Sequence, residues 1–198
     1  MLLPYYQEKY TEAGCDEAGR GCLAGPVYAA AVVLPKDFKN KILNDSKKLN
    51  RKQREELRVV IEREAVAYAV ASCDNLQIDK INILNASIYA MHLALDQLKQ
   101  SFRFIIVDGN RFKKYKKIPH CTIVEGDGKY MSIAAASILA KTYRDEVMEQ
   151  LHDKYPIYGW LNNKGYATDR HRKAILEVGN SPLHRRTFII KELQMEMF

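Results

Sequence analysis

Gly14-Cys15-Asp16-Glu17-Ala18-Gly19-Arg20-Gly21 is the stretch on which the reading of this chain turns. Two adjacent carboxylates, Asp16 and Glu17, stand between a short apolar lead-in and a glycine-flanked arginine. The surrounding chain is basic, with 31 lysines and arginines against 24 acids and a formal net charge of +7. A carboxylate pair beside Gly-Arg-Gly is a poor packing element. It is a good way to hold a divalent cation next to a backbone loop that can touch a phosphate or a sugar. A dinucleotide-binding loop is excluded. The third glycine of a G-x-G-x-x-G pattern is displaced to Gly25, the acidic pair would repel a pyrophosphate, and no Walker A sequence occurs.

Outward from this stretch the chain alternates between strands and helices. Val27 to Leu34 is an apolar run ended by Pro35, a buried strand that brackets the glycine-rich turn together with the strand before Asp16. Asp37 to Leu49 is a polar loop. Asn50 and Gln53 form a capping box for a helix with an apolar stripe at Leu57, Val60 and Ile61. Arg51/Glu55, Lys52/Glu56 and Arg58/Glu62 are its i,i+4 pairs. Ala65 to Ser72 is the next strand. The spacing of Ile81, Leu84, Ile88, Met91, Leu95 and Leu98 predicts one helix from about Asp79 to Gln100. Phe102 to Val107 and Cys121 to Val124 are strands. A helix starts near Met131, apolar all round from Ile133 to Ala140 and charged thereafter. Thr168 or Asp169 caps a last helix to about Val178. The fold class is α/β: a mixed sheet flanked by helices, with residues 1–155 as the core and 156–198 as a small C-terminal helical extension in a single functional unit.

Asp108 stands where an apolar strand stops and Gly109 turns the chain. Asp127 occupies the same place after the following strand. Open α/β sheets gather ligands at the carboxyl ends of strands. If these ends meet beside Asp16 and Glu17, four carboxylates converge, and they stay ionised together only with cations between them. Two hard ions, Mg²⁺ or Mn²⁺, held about 3.5–4 Å apart suit in-line phosphodiester cleavage. Any one Asp-Gly alone is an ordinary turn. Asp145 and Asp45 are rivals for the fourth place. Asp145 lies far along the helix from Met131, and Asp45 sits in the polar loop.

A length of 198 residues with 47% hydrophobic content suits one domain. The basic balance makes a polyanion the leading partner. The four cysteines, Cys15, Cys22, Cys73 and Cys121, form no C-x-x-C pair, which disfavours zinc and fits reduced thiols. The N-terminus lacks the pattern of a signal peptide, and no stretch is apolar enough to span a bilayer. The expectation is a cytoplasmic monomer that does not engage membranes.

Taken together, the motifs resemble ribonuclease HII, the type 2 ribonuclease H family. They are Gly14–Gly21, Leu23-Ala-Gly-Pro-Val27, Ala29-Ala-Ala-Val32, Asp45-Ser-Lys-Lys-Leu49, Val107-Asp-Gly109 and Gly126-Asp127. They continue with Ser132-Ile-Ala-Ala-Ala-Ser-Ile138, Ala140-Lys141, Arg144-Asp145, Asn163-Lys-Gly-Tyr166, His171 and His184-Arg-Arg-Thr-Phe188. They follow the family's order along nearly the whole chain. Cys22 departs from it, standing where many members have proline.

The resemblance implies a ribonuclease H-like fold and endonucleolytic hydrolysis of RNA in RNA–DNA hybrids. It also implies cutting 5′ of single ribonucleotides in duplex DNA, with 3′-hydroxyl and 5′-phosphate products, as used in ribonucleotide excision repair and replication. By position, Asp16, Glu17, Asp108 and Asp127 are the metal-binding catalytic carboxylates. Gly19, Arg20 and Gly21 match the loop that reads the ribose 2′-hydroxyl, where glycines let backbone approach a sugar closely. Tyr166 matches the tyrosine that stacks on the deoxyribose after the ribonucleotide. Ser46, Lys47, Lys48, Lys164, Arg170, His171 and Arg172 are candidate phosphate contacts, although a solvated basic face accounts for each cation singly, a cap for Ser46, and packing for His171. The basic run from Arg111 to Lys117 is left as general attraction to the backbone.

The tail Gln194-Met195-Glu196-Met197-Phe198 resembles the short peptides by which bacterial replication proteins dock on the sliding clamp. Competing readings are a non-catalytic hybrid-binding module and another two-metal nuclease on this fold, such as an exonuclease.

Overall fold

The computed structural model describes residues 2–188. Five strands make one sheet: β1 (Glu12–Ala18), β2 (Val27–Val33), β3 (Ala67–Cys73), β4 (Phe104–Asp108) and β5 (His120–Ile123), in the order β3-β2-β1-β4-β5. β1, β2 and β3 form an antiparallel meander. β4 lies parallel to β1, and β5 parallel to β4. The helices are α1 (Arg51–Glu64), α2 (Asn75–Ile81), α3 (Ile83–Gln97), α4 (Met131–Lys154), α5 (Trp160–Asn163) and α6 (Asp169–Val178). Among the described residues no helix is long and apolar enough to cross a membrane.

β2 is sandwiched, which explains its unbroken apolar run. Ala29 and Ala31 belong to the core shared with α3, while Ala30 and Val32 belong to the core shared with α4 and α1. The fully buried first half of α4 lies across β1 and β2. Gly14 makes that approach possible: a Cβ there would stand 2.4 Å from the Ser132 carbonyl carbon and 2.6 Å from Ile133 N. The capping box of α1 has both of its bonds, Gln53 N to Asn50 Oδ1 and Asn50 N to Gln53 Oε1, each 2.9 Å.

The single helix expected over 79–100 is in fact two. Asp74 opens α2 with its own capping box to Gln77, and Asn82 at φ 63° ends it. The Asn82 side chain then caps α3 by accepting from Asn85 N at 3.0 Å. Asparagine tolerates the left-handed conformation and competes for backbone partners, so a helix can stop inside an apolar stripe that continues beyond it. After α4 the chain builds a third, smaller core in which Trp160, Tyr158 and Ile175 pack with Leu23, Ala24 and Met148. Trp160 to Asn163 form the short α5 that leads into the Lys164–Tyr166 turn.

Candidate active site

Strand register brings the first acids together. Cys15 of β1 lies opposite Val107 of β4, and both side chains face the α3 core. One residue further, Asp16 and Asp108 therefore leave parallel strands ~4.8 Å apart towards the α4 side. Asp16 is buried, and its Oδ1 accepts from Glu17 N at 2.7 Å. Asp108 Oδ1 accepts from Gly126 N at 2.7 Å, which ties the end of β4 to the 3-10 turn Gly126–Gly128 that carries Asp127. Asp127 is buried, with Lys47 Nζ 3.5 Å from its Oδ2. That separation exceeds a hydrogen bond, and among the described residues Asp127 Oδ2 has no hydrogen-bond partner.

The electrostatics follow from burial and crowding. Burial lifts the Asp16 carboxyl well above the usual carboxylate range, repulsion from Glu17 and Asp108 adds to it, and Ser137 with the Glu17 N–H opposes it. Burial also raises Glu17, against the lowering effect of Arg20, whose Nη1 is 3.0 Å from Glu17 Oε1. Asp127 is raised by burial and then by Asp108, with Lys47 working the other way. The acids stand as neighbours rather than as a closed ligand shell. Among the described residues no three acidic, histidine or cysteine side chains converge tightly enough to form one. The donor set still fits a hard divalent cation. It is all oxygen, it is partly withdrawn from water in mutual repulsion, and among the described residues its Asp127 Oδ2 has no hydrogen-bond partner.

A cleft of about 280 Å³ joins Asp16, Glu17 and Asp108 to Gly19–Gly21, Lys47 and Tyr166. Asp127 does not line this cleft and meets it through Lys47. The Gly-Arg-Gly loop is held from below by two buried arginines. Arg185 donates from Nη2 to Gly19 O (2.7 Å), from Nη1 to Arg20 O (2.8 Å) and from Nε to Gly25 O (3.1 Å). Arg144 donates to Pro26 O (2.9 Å), Lys164 O (2.9 Å) and Ala24 O (3.3 Å). Burial lowers the Arg185 guanidinium to about 10. Gly19 has φ +94°, and a Cβ there would fall 2.0 Å from Arg144 Nε, so this position demands glycine twice over. Tyr166 is 42% exposed at the cleft edge. Its backbone bridges to Cys22.

Sequence reading assigned no role to Arg144 and Arg185. A signal existed for Arg144: no acid lies three or four residues away on its helix, so its charge had to be met elsewhere. Arg54 was missed as well. It donates to Ser46 O at 3.1 Å and to Leu49 O, fixing the loop that carries Lys47.

The expected phosphate contacts divide. Ser46 is buried and shares a hydrogen bond with Ser137 (2.9 Å) between the loop and α4. Lys47 borders the acids, and Lys48 is exposed on the same loop. Lys164 Nζ is committed to Glu149 Oε1 at 2.8 Å and to Leu161 O. Arg172 reaches Asp169 at 2.8 Å. Arg170 lies outside the cleft, against Gly159. The expectation for His171 is corrected: the residue is fully buried, its Nε2 taken by Trp160 Nε1 at 3.0 Å, and no phosphate reaches it. Asp145 is bound by Lys141 at 2.6 and 2.7 Å on a continuous α4, about 20 Å along it from Met131. Asp45 Oδ1 caps its own turn at Lys47 N (2.8 Å). The tail, Gln194 to Phe198, lies outside the described residues.

A mixed sheet in this strand order, with acids at the ends of its parallel strands, defines a ribonuclease H-like protein. Within that class the chain belongs to the ribonuclease HII family, whose profile matches residues 13–191. It is 62% identical to a ribonuclease HII of Bacteroides fragilis over 100% of this chain and 99% of that one. Among solved structures it is similar to the ribonuclease H2 of Pyrococcus horikoshii OT3, with TM-score 0.79, 26% identity, and 94% of this chain and 98% of that one covered. It is also similar to a ribonuclease HII from Archaeoglobus fulgidus solved in complex with PCNA, with TM-score 0.76, 25% identity, and 95% and 100% covered. The chain is thus an endoribonuclease of the ribonuclease H type.

Proposed function

We propose that the chain hydrolyses the RNA strand of RNA–DNA hybrids and nicks 5′ of single ribonucleotides in duplex DNA, leaving 3′-hydroxyl and 5′-phosphate ends. The observation that carries this reading is the Asp16–Asp108 register, which sets buried Asp16 beside half-buried Asp108 at one wall of the cleft that Gly19–Gly21 and Tyr166 also line. Asp16, Glu17, Asp108 and Asp127 would hold two ions, Mg²⁺ or Mn²⁺, which supply Lewis-acid activation of water and counter-charge for the leaving oxygen. The protein's own groups do the positioning. The Gly19–Gly21 backbone meets the ribose edge, where the 2′-hydroxyl alone separates RNA from DNA. The Tyr166 ring stands against the next sugar, and a flat ring rejects a bulkier one by shape. Lys47 and Lys48 draw the phosphates. Residues 1–155 act as the catalytic core and 156–198 as its extension. The tail at 194–198 is proposed to dock on a sliding clamp, in keeping with the archaeal relative's complex with PCNA.

Cleavage mapping on a duplex with one internal ribonucleotide tests the proposal, with Mg²⁺, with Mn²⁺ and with chelator. A metal-dependent nick on the 5′ side is the expected result. Trimming from the ends, or cutting that survives chelator, overturns it.

A further inference from the structure

The third core holds a hydrogen-bonded chain for which the reaction above has no use. Ser181 N–H donates to His184 Nδ1 at 2.9 Å, so the His184 proton sits on Nε2. That Nε2 lies 3.0 Å from His171 Nε2 and donates to it. Trp160 Nε1–H donates to the same nitrogen at 3.0 Å. His171 therefore carries its proton on Nδ1 and donates it to the Tyr166 carbonyl at 2.8 Å. Only one set of protons satisfies every contact. Both imidazoles are buried, and burial pushes His184 down to about 4 and lowers His171, which keeps the pair neutral.

The two ends of this chain are anchored to the two proposed readers of the substrate. His184 bridges Ala24 through its backbone, and its neighbour Arg185 donates from N to Leu23 O at 2.8 Å and grips Gly19 O and Arg20 O. The other end holds Tyr166 O. The imidazole pair is thus a spacer of fixed length between the Gly-Arg-Gly loop and the tyrosine. We propose that His171 and His184 are positioning residues that set Tyr166 against Gly19–Gly21 and so determine selectivity for a ribonucleotide followed by a deoxyribose. The inference rests on the junction role proposed for Tyr166. Reading two adjacent sugars at once requires the readers to be held within a fraction of an ångström, and side chains locked by hydrogen bonds supply that rigidity.

The test compares kcat/KM on a duplex with one ribonucleotide against that on a continuous RNA–DNA hybrid. His171→Leu fills the space without a donor, and His171→Asn returns a donor near the place of Nδ1. His171→Leu is expected to lower the ratio of the two activities roughly tenfold, and His171→Asn to restore it to within about threefold. Tyr166→Ala should lower the ratio as well. An unchanged ratio in Tyr166→Ala overturns the junction role and the inference with it. A lowered ratio in Tyr166→Ala with an unchanged one in His171→Leu overturns the inference alone, as does a failure of His171→Asn to rescue. Should His171→Leu not fold, as judged by circular dichroism, His184→Asn takes its place. It keeps an acceptor for Ser181 N–H and deletes the link to His171, together with the ring's packing on Tyr158 and Trp160. A lowered ratio supports the spacer, and an unchanged ratio overturns it.

Discussion

The carboxylates at the end of β1 and the histidines of the third core are both buried polar clusters, and their charges are settled in opposite ways. Asp16, Glu17 and Asp127 are crowded with like charges, their pKa values are raised, and among the described residues Asp127 Oδ2 lacks a hydrogen-bond partner. In the His171–His184–Trp160 chain every ring nitrogen has a partner and no net charge remains. A cluster left in repulsion settles its charge by taking up protons or cations from outside. A cluster that satisfies itself needs nothing further and serves as frame. The fold places the two on either side of one loop, Gly19–Val27, so that the frame holds the loop while the loop's start carries the acids.

The largest effect should come from the unsettled cluster. Asp16→Asn is expected to lower hybrid cleavage by about a thousandfold, the scale of a lost cation contribution of several kcal/mol. Hybrid binding should be retained or improved, because one repulsive charge has gone. Undiminished cleavage would break the comparison at its acidic side. Next comes the frame. Arg185→Met strips three carbonyls of their donor and should cost about 3 kcal/mol in denaturant unfolding. A loss below about 1 kcal/mol would mean that those carbonyls find water instead.

The smallest effect sharpens the histidine side. Their folded-state pKa values lie below that of a free imidazole, about 6.5. The unfolded chain therefore takes up protons first, and the stability the pair contributes is complete above pH ~6.5 and lost as pH falls towards the folded values. Trp160, the only tryptophan, reports this through its bond to His171. Its emission should hold steady from neutral pH to about 5 and change below that. A transition centred at pH 6 or above would contradict neutral, fully bonded imidazoles.

Much of the acidic site could be read before any coordinates, because strand ends leave a local mark: an apolar run, then Asp-Gly. The α1 capping box was equally legible, since its bonds span three residues. What escaped reading was long-range or buried. Arg185 reaches Gly19 across 166 residues, and no local pattern announces such a bond. His171 lies in an amphipathic helix among basic neighbours and so resembled a phosphate ligand, but it is one of the residues that α6 turns inward. The break at Asn82 was hidden because the apolar stripe continues across it, with Ile78 and Ile83 in the same core.

Counting bound Mn²⁺ tests the central claim most directly, through the loss of its free-ion resonance signal on titration with the protein. The account predicts binding to the unsubstituted chain, weakened at least tenfold in Asp16→Asn and in Asp127→Asn and unchanged in His184→Asn. Mn²⁺ binding that is absent from the unsubstituted chain and its hybrid complex, or that is indifferent to both aspartate substitutions, would contradict it.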